Sequence, residues 1–262
     1  MSIAIHTFGS LARVPGLLHG VSGRQGGVSR EPYDSLNLGL HVGDDPQCVV
    51  ENRRRLCDAA GIDPARLVVA EQVHAGAVAT VTVRDAGRGA FDHQTALPAA
   101  DALATADRAL PLMALSADCP LVVIVDPDGR VLGLVHASWR STAAGIIGRT
   151  VSAMAALGGR PGRMLAAIGP CVGNCCYEVR NDFIHIAAHS AIVNADNYID
   201  GRGGRTFFDL PAAVTGQLCE AGVPRRNVEA SGICTACSTD RFYSHRAEAG
   251  TTGRFAAFAM FV

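Results

Sequence analysis

The chain has 262 residues, of which 48% are hydrophobic and 18% charged, and its formal net charge is −1. That length can bury about 70–75% of the unfolded surface in one large core, while the near-neutral balance gives no electrostatic case for nucleic acid or an anionic membrane surface. Nine cysteines, odd in number and irregularly spaced, argue for free thiols, ligands or a nucleophile and against a disulfide framework. No apolar run approaches the ~20 residues of a membrane span, and residues 1–20 lack the basic start and continuous apolar segment of a secretory signal. The expected setting is the cytoplasm.

Residues 19–43 (HGVSGRQGGVSREPYDSLNLGLHVG) are dense in Gly, Ser and Asn and read as a loop. Gly26-Gly27 suits turn chemistry or close backbone approach to a ligand, with Arg24 and Arg30 as cations for an anion held there. Residues 46–60 follow helical spacing through Val49, Val50, Arg53, Leu56 and Cys57, and Gly61 is placed to end that helix. Residues 66–83 are rich in β-branched side chains and break at Ala75-Gly76, giving two strand segments with His74 at the break. Residues 84–100 read as a polar loop holding a solvated His93, which delivers Asp101-Ala102-Leu103-Ala104-Thr105 to the middle of the chain.

Residues 112–140 (LMALSADCPLVVIVDPDGRVLGLVHASWR) organise what surrounds them. Two apolar runs flank Asp126-Pro127-Asp128-Gly129, a turn signal with Pro at the second position and Gly at the fourth, so a β-hairpin is expected. Closed without a bulge, it sets 126 opposite 129 and Cys119 opposite His136, with Cβ atoms roughly 5 Å apart on one face. A thiolate and an imidazole so placed can share a metal or act as nucleophile and base. A bulge at the glycine would shift the pairing by one and send the two to opposite faces, so their meeting demands that the phase be kept.

Beyond His136, a helix is expected over 142–157, with Ile146, Ile147, Thr150, Val151, Met154 and Leu157 as its buried stripe and Gly158-Gly159 as its stop. Starting beside a ligand strand, it would aim free N–H groups toward the site. A short strand follows at 164–168, helices at 181–190 and 210–221, an exposed polar loop at 196–205, and a closing strand to Val262. Cys234 and Cys237 have the spacing of a zinc knuckle, and Cys171, Cys175 and Cys176 could complete four ligands. With no second Cys-x-x-Cys pair, however, small buried thiols are the expectation. The His-x-Glu and Pro-Cys-x-x-Cys pattern of zinc nucleobase deaminases is absent.

Taken together, six ordered motifs resemble one family. They are Gln72-Val73-His74; Asp101 to Thr105; Ala117-Asp118-Cys119-Pro120; His136-Ala137-Ser138-Trp139-Arg140; Gly169-Pro170 with Cys176-Tyr177-Glu178-Val179; and Phe242-Tyr243-Ser244-His245-Arg246 with Thr252-Gly253-Arg254. They look like those of the YfiH-type proteins, the laccase-domain or multicopper polyphenol oxidoreductase family, also described as purine nucleoside phosphorylases and as peptidoglycan editing factors. The resemblance begins near His19 and runs almost to the C-terminus. It implies an α+β fold, a four-layer α/β/β/α sandwich with mixed sheets, as a single domain over residues 1–262. It also implies a zinc ion held by His74, Cys119 and His136, with copper as the alternative metal. Ser138 and Ser141 stand where the family usually has glycine, which bears on the shape of the pocket.

Two histidines and a thiolate leave a tetrahedral zinc with an open position for water or a substrate atom. Phosphorolysis needs a cationic or N–H-rich cradle for phosphate, and Arg24, Arg246 and Arg254 are the candidate cations. Asp101 and Glu178 are acid/base candidates by motif position, while Asp118 is expected to play a supporting part. The leading expectation is a zinc-dependent purine nucleoside phosphorylase acting on adenosine, inosine or methylthioadenosine, with adenosine deamination as an associated activity. Its partners would be purine nucleosides and phosphate, without nucleic acid or membrane. The alternatives are a cysteine hydrolase, with Cys119 as nucleophile and His136 as base, editing peptidoglycan precursors; a non-catalytic metal-stabilised fold; and a copper-dependent polyphenol oxidase, for which the sequence shows too few ligands.

Overall fold

The computed structural model describes residues 3–262 apart from the side chains at 181, 182, 184 and 185. Its first sheet runs in the order β1 (Ile5–His6), β2 (Leu17–Ser22), β14 (Phe255–Phe261), β6 (Leu112–Ser116) and β3 (Val68–Val69). The second runs β13 (Val228–Ala230), β9 (Leu165–Ile168), β7 (Leu121–Asp126), β8 (Val131–His136), β5 (Ala102–Thr105) and β4 (Val78–Thr80). A small third sheet is made of β10 (Glu178–Val179), β12 (Arg205–Phe208) and β11 (Ile199–Arg202). Both large sheets mix parallel and antiparallel pairs.

Alternation along the buried strands explains the layering. In β14, Phe255, Ala257, Ala259 and Phe261 face one cluster while Ala256, Phe258 and Met260 face another. In β7, Val123 and Val125 join the first of these, and Val122 and Ile124 enter a third. Since successive side chains of a strand point to opposite faces, the shared cluster must lie between the two sheets. The outer face of the first sheet is covered by α1 (Pro46–Ala60), whose Leu56 and Cys57 pack with Met113 and Phe258. The outer face of the second is covered by α3 (Ile146–Ala156) and α5 (Leu210–Glu220), beside the shorter α2 (Trp139–Ala143) and α4 (Asn181–Ala188). The result is the expected α/β/β/α sandwich. Helix α1 begins with the Asp45 carboxylate accepting from the Gln47 N–H at 2.9 Å and Pro46 in its first turn, and ends on Gly61 at φ 68°. Among the described residues no helix is long and apolar enough to cross a membrane.

Several expectations are corrected. The first apolar run is two strands in different sheets, because the chain leaves β6 and crosses to β7 through residues 117–120. The hairpin β7–β8 forms, yet its register pairs Asp126 with Val131 and Leu121 with His136. Asp126 accepts the N–H groups of Asp128 and Gly129, both at 3.2 Å, and the positive φ falls on Arg130 at 51°, so the loop is longer than a two-residue turn. The shift is two residues, which preserves the phase. The helix expected over 142–157 is broken at Gly145, which has φ 77° and separates α2 from α3. The exposed loop expected at 196–205 contains the hairpin β11–β12, turned by Gly203 and Gly204 at φ 57° and 74°. The first residues of the 19–43 loop belong to β2.

Candidate active site

Two crossovers between the large sheets create the site. Strand β3 lies in the first sheet and β4 in the second, and His74 sits on the connection with φ 59°. Cys119 sits on the other crossover, one residue past Asp118 at φ 93°. His136 ends β8 in the second sheet. The ligand atoms of His74, Cys119 and His136 lie within 4.8 Å of one another. The two imidazole rings meet edge to face, with centroids 4.9 Å apart. His74 is exposed, Cys119 half-buried and His136 buried.

Asp101 holds this arrangement. At the start of the β5 segment and 2% exposed, its carboxylate accepts from the His74 N–H at 3.0 Å and the Ala75 N–H at 2.7 Å, and lies 2.9 Å from His136 Nδ1. Burial alone would raise its pKa, but His136 and the two N–H groups outweigh that and lower it. Since Nδ1 faces a carboxylate, Nε2 is the His136 nitrogen left for Cys119 and His74. Burial likewise opposes ionisation of Cys119, and the neighbouring His136 and His74 bring it down to about 7. Burial disfavours the His136 cation, and Cys119 and Asp101 together lift it to about 9. Each shift favours the charged form of its group, as contact between a thiol and an imidazole requires.

These residues open on a cavity of about 390 Å³, within the range of small-molecule sites. Trp139, Tyr177, Leu115 and Val172 supply apolar wall, and Arg140, Arg246 and Arg254 supply cations. Arg246 donates its backbone N–H to Asp118 at 2.6 Å and its Nη1 to the Glu178 carbonyl at 3.0 Å. Arg254 Nη1 is held by the carbonyls of Thr252 and Gly253 at 2.8 and 2.9 Å. Arg24 lies elsewhere: its guanidinium is taken up by Thr239, Glu248 and Asp34, so it does not face the cavity. Glu178 pairs with Arg205 at 3.3 Å and does not line the cavity either. Asp118 is engaged on both oxygens, by Thr235 Oγ1 and the Arg246 N–H, each at 2.6 Å. The Ser138 hydroxyl caps α2 by accepting the Ser141 N–H at 3.1 Å, and Ser141 Oγ donates to the His136 carbonyl at 3.1 Å. Both hydroxyls thus hold the turn after His136, and Ser138 also lines the cavity while Ser141 is not among its lining residues.

His41, His245, Gln72 and Tyr177 also line the cavity, though their own chemistry and spacing in the sequence mark no role for them. Gln72, Tyr177 and His245 do lie inside the six motifs, which was the available signal. His41 has none, since it reaches the cavity from an irregular loop. Burial, followed by the nearby Arg254, His93 and Arg53, drops its pKa to about 4, so it stays neutral. The expectation of small buried thiols is corrected in part, since Cys175 and Cys237 are exposed. Cys175, Cys176, Cys234 and Cys237 form a second group, with all sulfurs within 4.8 Å of one another. Cys171 is buried apart, its thiol pushed up by burial and neighbouring cysteines.

A four-layer domain with a two-histidine, one-cysteine group in a cavity at the crossovers defines the class. The chain belongs to the family described as multi-copper polyphenol oxidoreductase laccase, whose profile matches residues 18–262. It is 39% identical over 245 residues to the purine nucleoside phosphorylase YlmD of Geobacillus stearothermophilus, covering 93% of this chain and 89% of the relative. A purine nucleoside phosphorylase of Streptomyces coelicolor is 40% identical over 245 residues, covering 94% and 96%. Among solved structures, the YfiH protein of Bacillus licheniformis superposes with a TM-score of 0.91 at 35% identity, over 94% of this chain and 93% of that one. YlmD from G. stearothermophilus gives 0.91 at 38%, over 95% and 93%.

Proposed function

We propose that this chain is a purine nucleoside phosphorylase, acting on adenosine, inosine or methylthioadenosine with phosphate, with adenosine deamination as an associated activity. The observation that carries the reading is the convergence, in one cavity, of the His74, Cys119 and His136 group with the guanidinium side chains of Arg246 and Arg254. Relatives named purine nucleoside phosphorylases, aligned over nearly the whole chain, point the same way.

In phosphorolysis a phosphate oxygen forms a bond to C1′, the bond from C1′ to the purine nitrogen breaks, and the electron pair leaves with the base, which takes up a proton. Arg246 and Arg254 are the groups here that can hold phosphate as an anion. Trp139 and Tyr177 line the cavity and are the aromatic side chains there that could pack against a planar base. Asp101 fixes the His136 ring and the His74 backbone, so the donor set is oriented before substrate arrives. Two imidazoles and a thiolate fit zinc, and copper is the alternative that donor set accepts. Bound there, the ion would supply Lewis acidity toward a water or a substrate oxygen.

A second reading, a cysteine hydrolase acting on peptidoglycan precursors, is favoured by one observation, the placement of Cys119 Sγ within 4.8 Å of a His136 ring nitrogen, a neighbour that favours the thiolate. Phosphate separates the two. Metal-replete protein incubated with each nucleoside should release free base and sugar phosphate only when phosphate is present. Absence of base release from every purine nucleoside at millimolar phosphate would overturn the leading reading.

A further inference from the structure

We infer that Cys175, Cys176, Cys234 and Cys237 bind a structural zinc ion, in a site separate from the active-site cavity and independent of the activity proposed above. The fold brings them together from two distant segments. Strands β9 and β13 are parallel neighbours, ending at Ile168 and Ala230. Beyond the sheet the chains stay side by side, with the Cys171 N–H donating to the Ile233 carbonyl at 3.2 Å and the Thr235 N–H to the Cys171 carbonyl at 3.0 Å. Two short loops then carry an adjacent Cys-Cys pair and a Cys-x-x-Cys pair to one point.

The sulfur geometry suits an ion. Cys175 and Cys176 Sγ lie 3.7 and 3.4 Å from Cys237 Sγ, and all four sulfurs are within 4.8 Å of one another. Zinc–sulfur bonds of about 2.3 Å in a tetrahedron set the sulfurs roughly 3.8 Å apart. The Gly173 N–H donates to Cys234 Sγ at 3.2 Å, a contact that favours thiolate. A Cβ at Gly173 would stand 3.3 Å from Cys175 Sγ, tight against the cluster. Four soft thiolates, with no nitrogen or oxygen donor grouped with them among the described residues, select zinc over the hard divalent cations. Cys175 and Cys237 are exposed, so the ion can enter from solvent.

The clamp has a consequence for the cavity. Cys176 is followed by Tyr177, which lines it. Between Cys234 and Cys237, Thr235 hydrogen-bonds Asp118, the neighbour of Cys119. The zinc would therefore pin both loops that meet the active-site crossover.

The test is metal analysis of the full-length protein, purified under reductant, alongside Cys175→Ser/Cys237→Ser and His74→Ala/His136→Ala variants. The Cys variant should contain one zinc fewer per chain than wild type, and the His variant should keep the cluster ion. Loaded with Co²⁺, the His variant should show the intense sulfur-to-metal charge transfer and long-wavelength bands of a tetrahedral tetrathiolate. Peptide mapping should find the four thiols slow to alkylate until a chelator is added. A wild type with only one zinc, lost in the Cys variant, would support the cluster and count against a metal in the cavity. The inference is overturned if the Cys variant keeps the wild-type metal count, if the four thiols of the native protein alkylate rapidly or are joined as disulfides, or if the ion recovered is iron. Should the Cys variant fail to fold, the cobalt spectrum and the alkylation map of the other proteins decide.

Discussion

Replacing Asp101 by asparagine tests whether the carboxylate behind the site creates the donor set. In the native protein three N–H groups converge on two anionic oxygens: His136 Nδ1 and the His74 N–H on Oδ1, and the Ala75 N–H on Oδ2. Asparagine has one acceptor oxygen and an NH₂ group. With its oxygen toward His136, the NH₂ faces the Ala75 N–H as donor against donor; flipped, it opposes two donors. Leaving one such group unsatisfied costs about 1–3 kcal/mol, which for a domain of this size is a fall in Tm of roughly 4–8 °C at 2 kcal/mol. His136 also loses the partner that directs Nε2 at Cys119, and losses of this kind weaken metal binding about 10- to 100-fold. Chelator competition would measure the affinity and thermal unfolding the stability. A variant that binds zinc within twofold of wild type would refute the view that Asp101 orients the site.

Cys119→Ala and His74→Ala should each lose the cavity ion and base release together, measured as metal content and turnover, because removing a ligand disables both while removing a nucleophile need not lower metal content. A Cys119→Ala protein with undiminished metal would move the assignment to the thiol hydrolase. Arg246→Ala should raise KM for phosphate by about 10-fold or more, the loss of one charge-assisted hydrogen bond, while KM for the nucleoside changes little; a change confined to the nucleoside would place phosphate elsewhere. For Asp126, burial would raise the carboxyl, but Arg163 at 2.7 Å and the N–H groups of Arg160 and Gly129 outweigh it and hold the pKa below the ordinary range. Its stabilisation is therefore complete above the unfolded value of about 4 and is lost as pH falls through the folded one. Asp126→Asn should be less stable than wild type by about 1.5–3 kcal/mol at pH 7, and denaturant titrations should show that gap closing in acid.

Helix α1 was legible to the residue because each signal that defines it is local: the Asp45 cap, Pro46 in the first turn, the apolar face and Gly61 at the end. The run from Leu112 to Asp126 was not, because its division between sheets leaves only four residues of interruption. Ala117, Asp118, Cys119 and Pro120 suit a crossover, but in one dimension they also read as an irregularity in a single long strand. The 196–205 segment failed for another reason. Its hairpin is short and polar, so composition suggested a loop, although Gly203-Gly204 is a two-residue hairpin turn signal. In α2 and α3, a continuous apolar stripe concealed the break that Gly145 introduces.

The expected meeting of Cys119 with His136 rests on a register that is only half right. The sequence suggested Cys119 and His136 as partners directly across a hairpin, and the structure sets Leu121 opposite His136. They still meet, since a displacement of two residues leaves the same side of the strand facing the same layer. Asp118 at φ 93° then turns the chain just before Cys119. The cysteine cluster shows the opposite case. Its pairs lie nearly sixty residues apart in sequence and share no repeated spacing, so only the parallel pairing of β9 with β13 joins them. Cys119 and His136 lie close enough to the β7–β8 hairpin for local pattern to bring them together, whereas His74 reaches them only through the crossover from β3 to β4, and the four cysteines reach one another only through the register of β9 with β13.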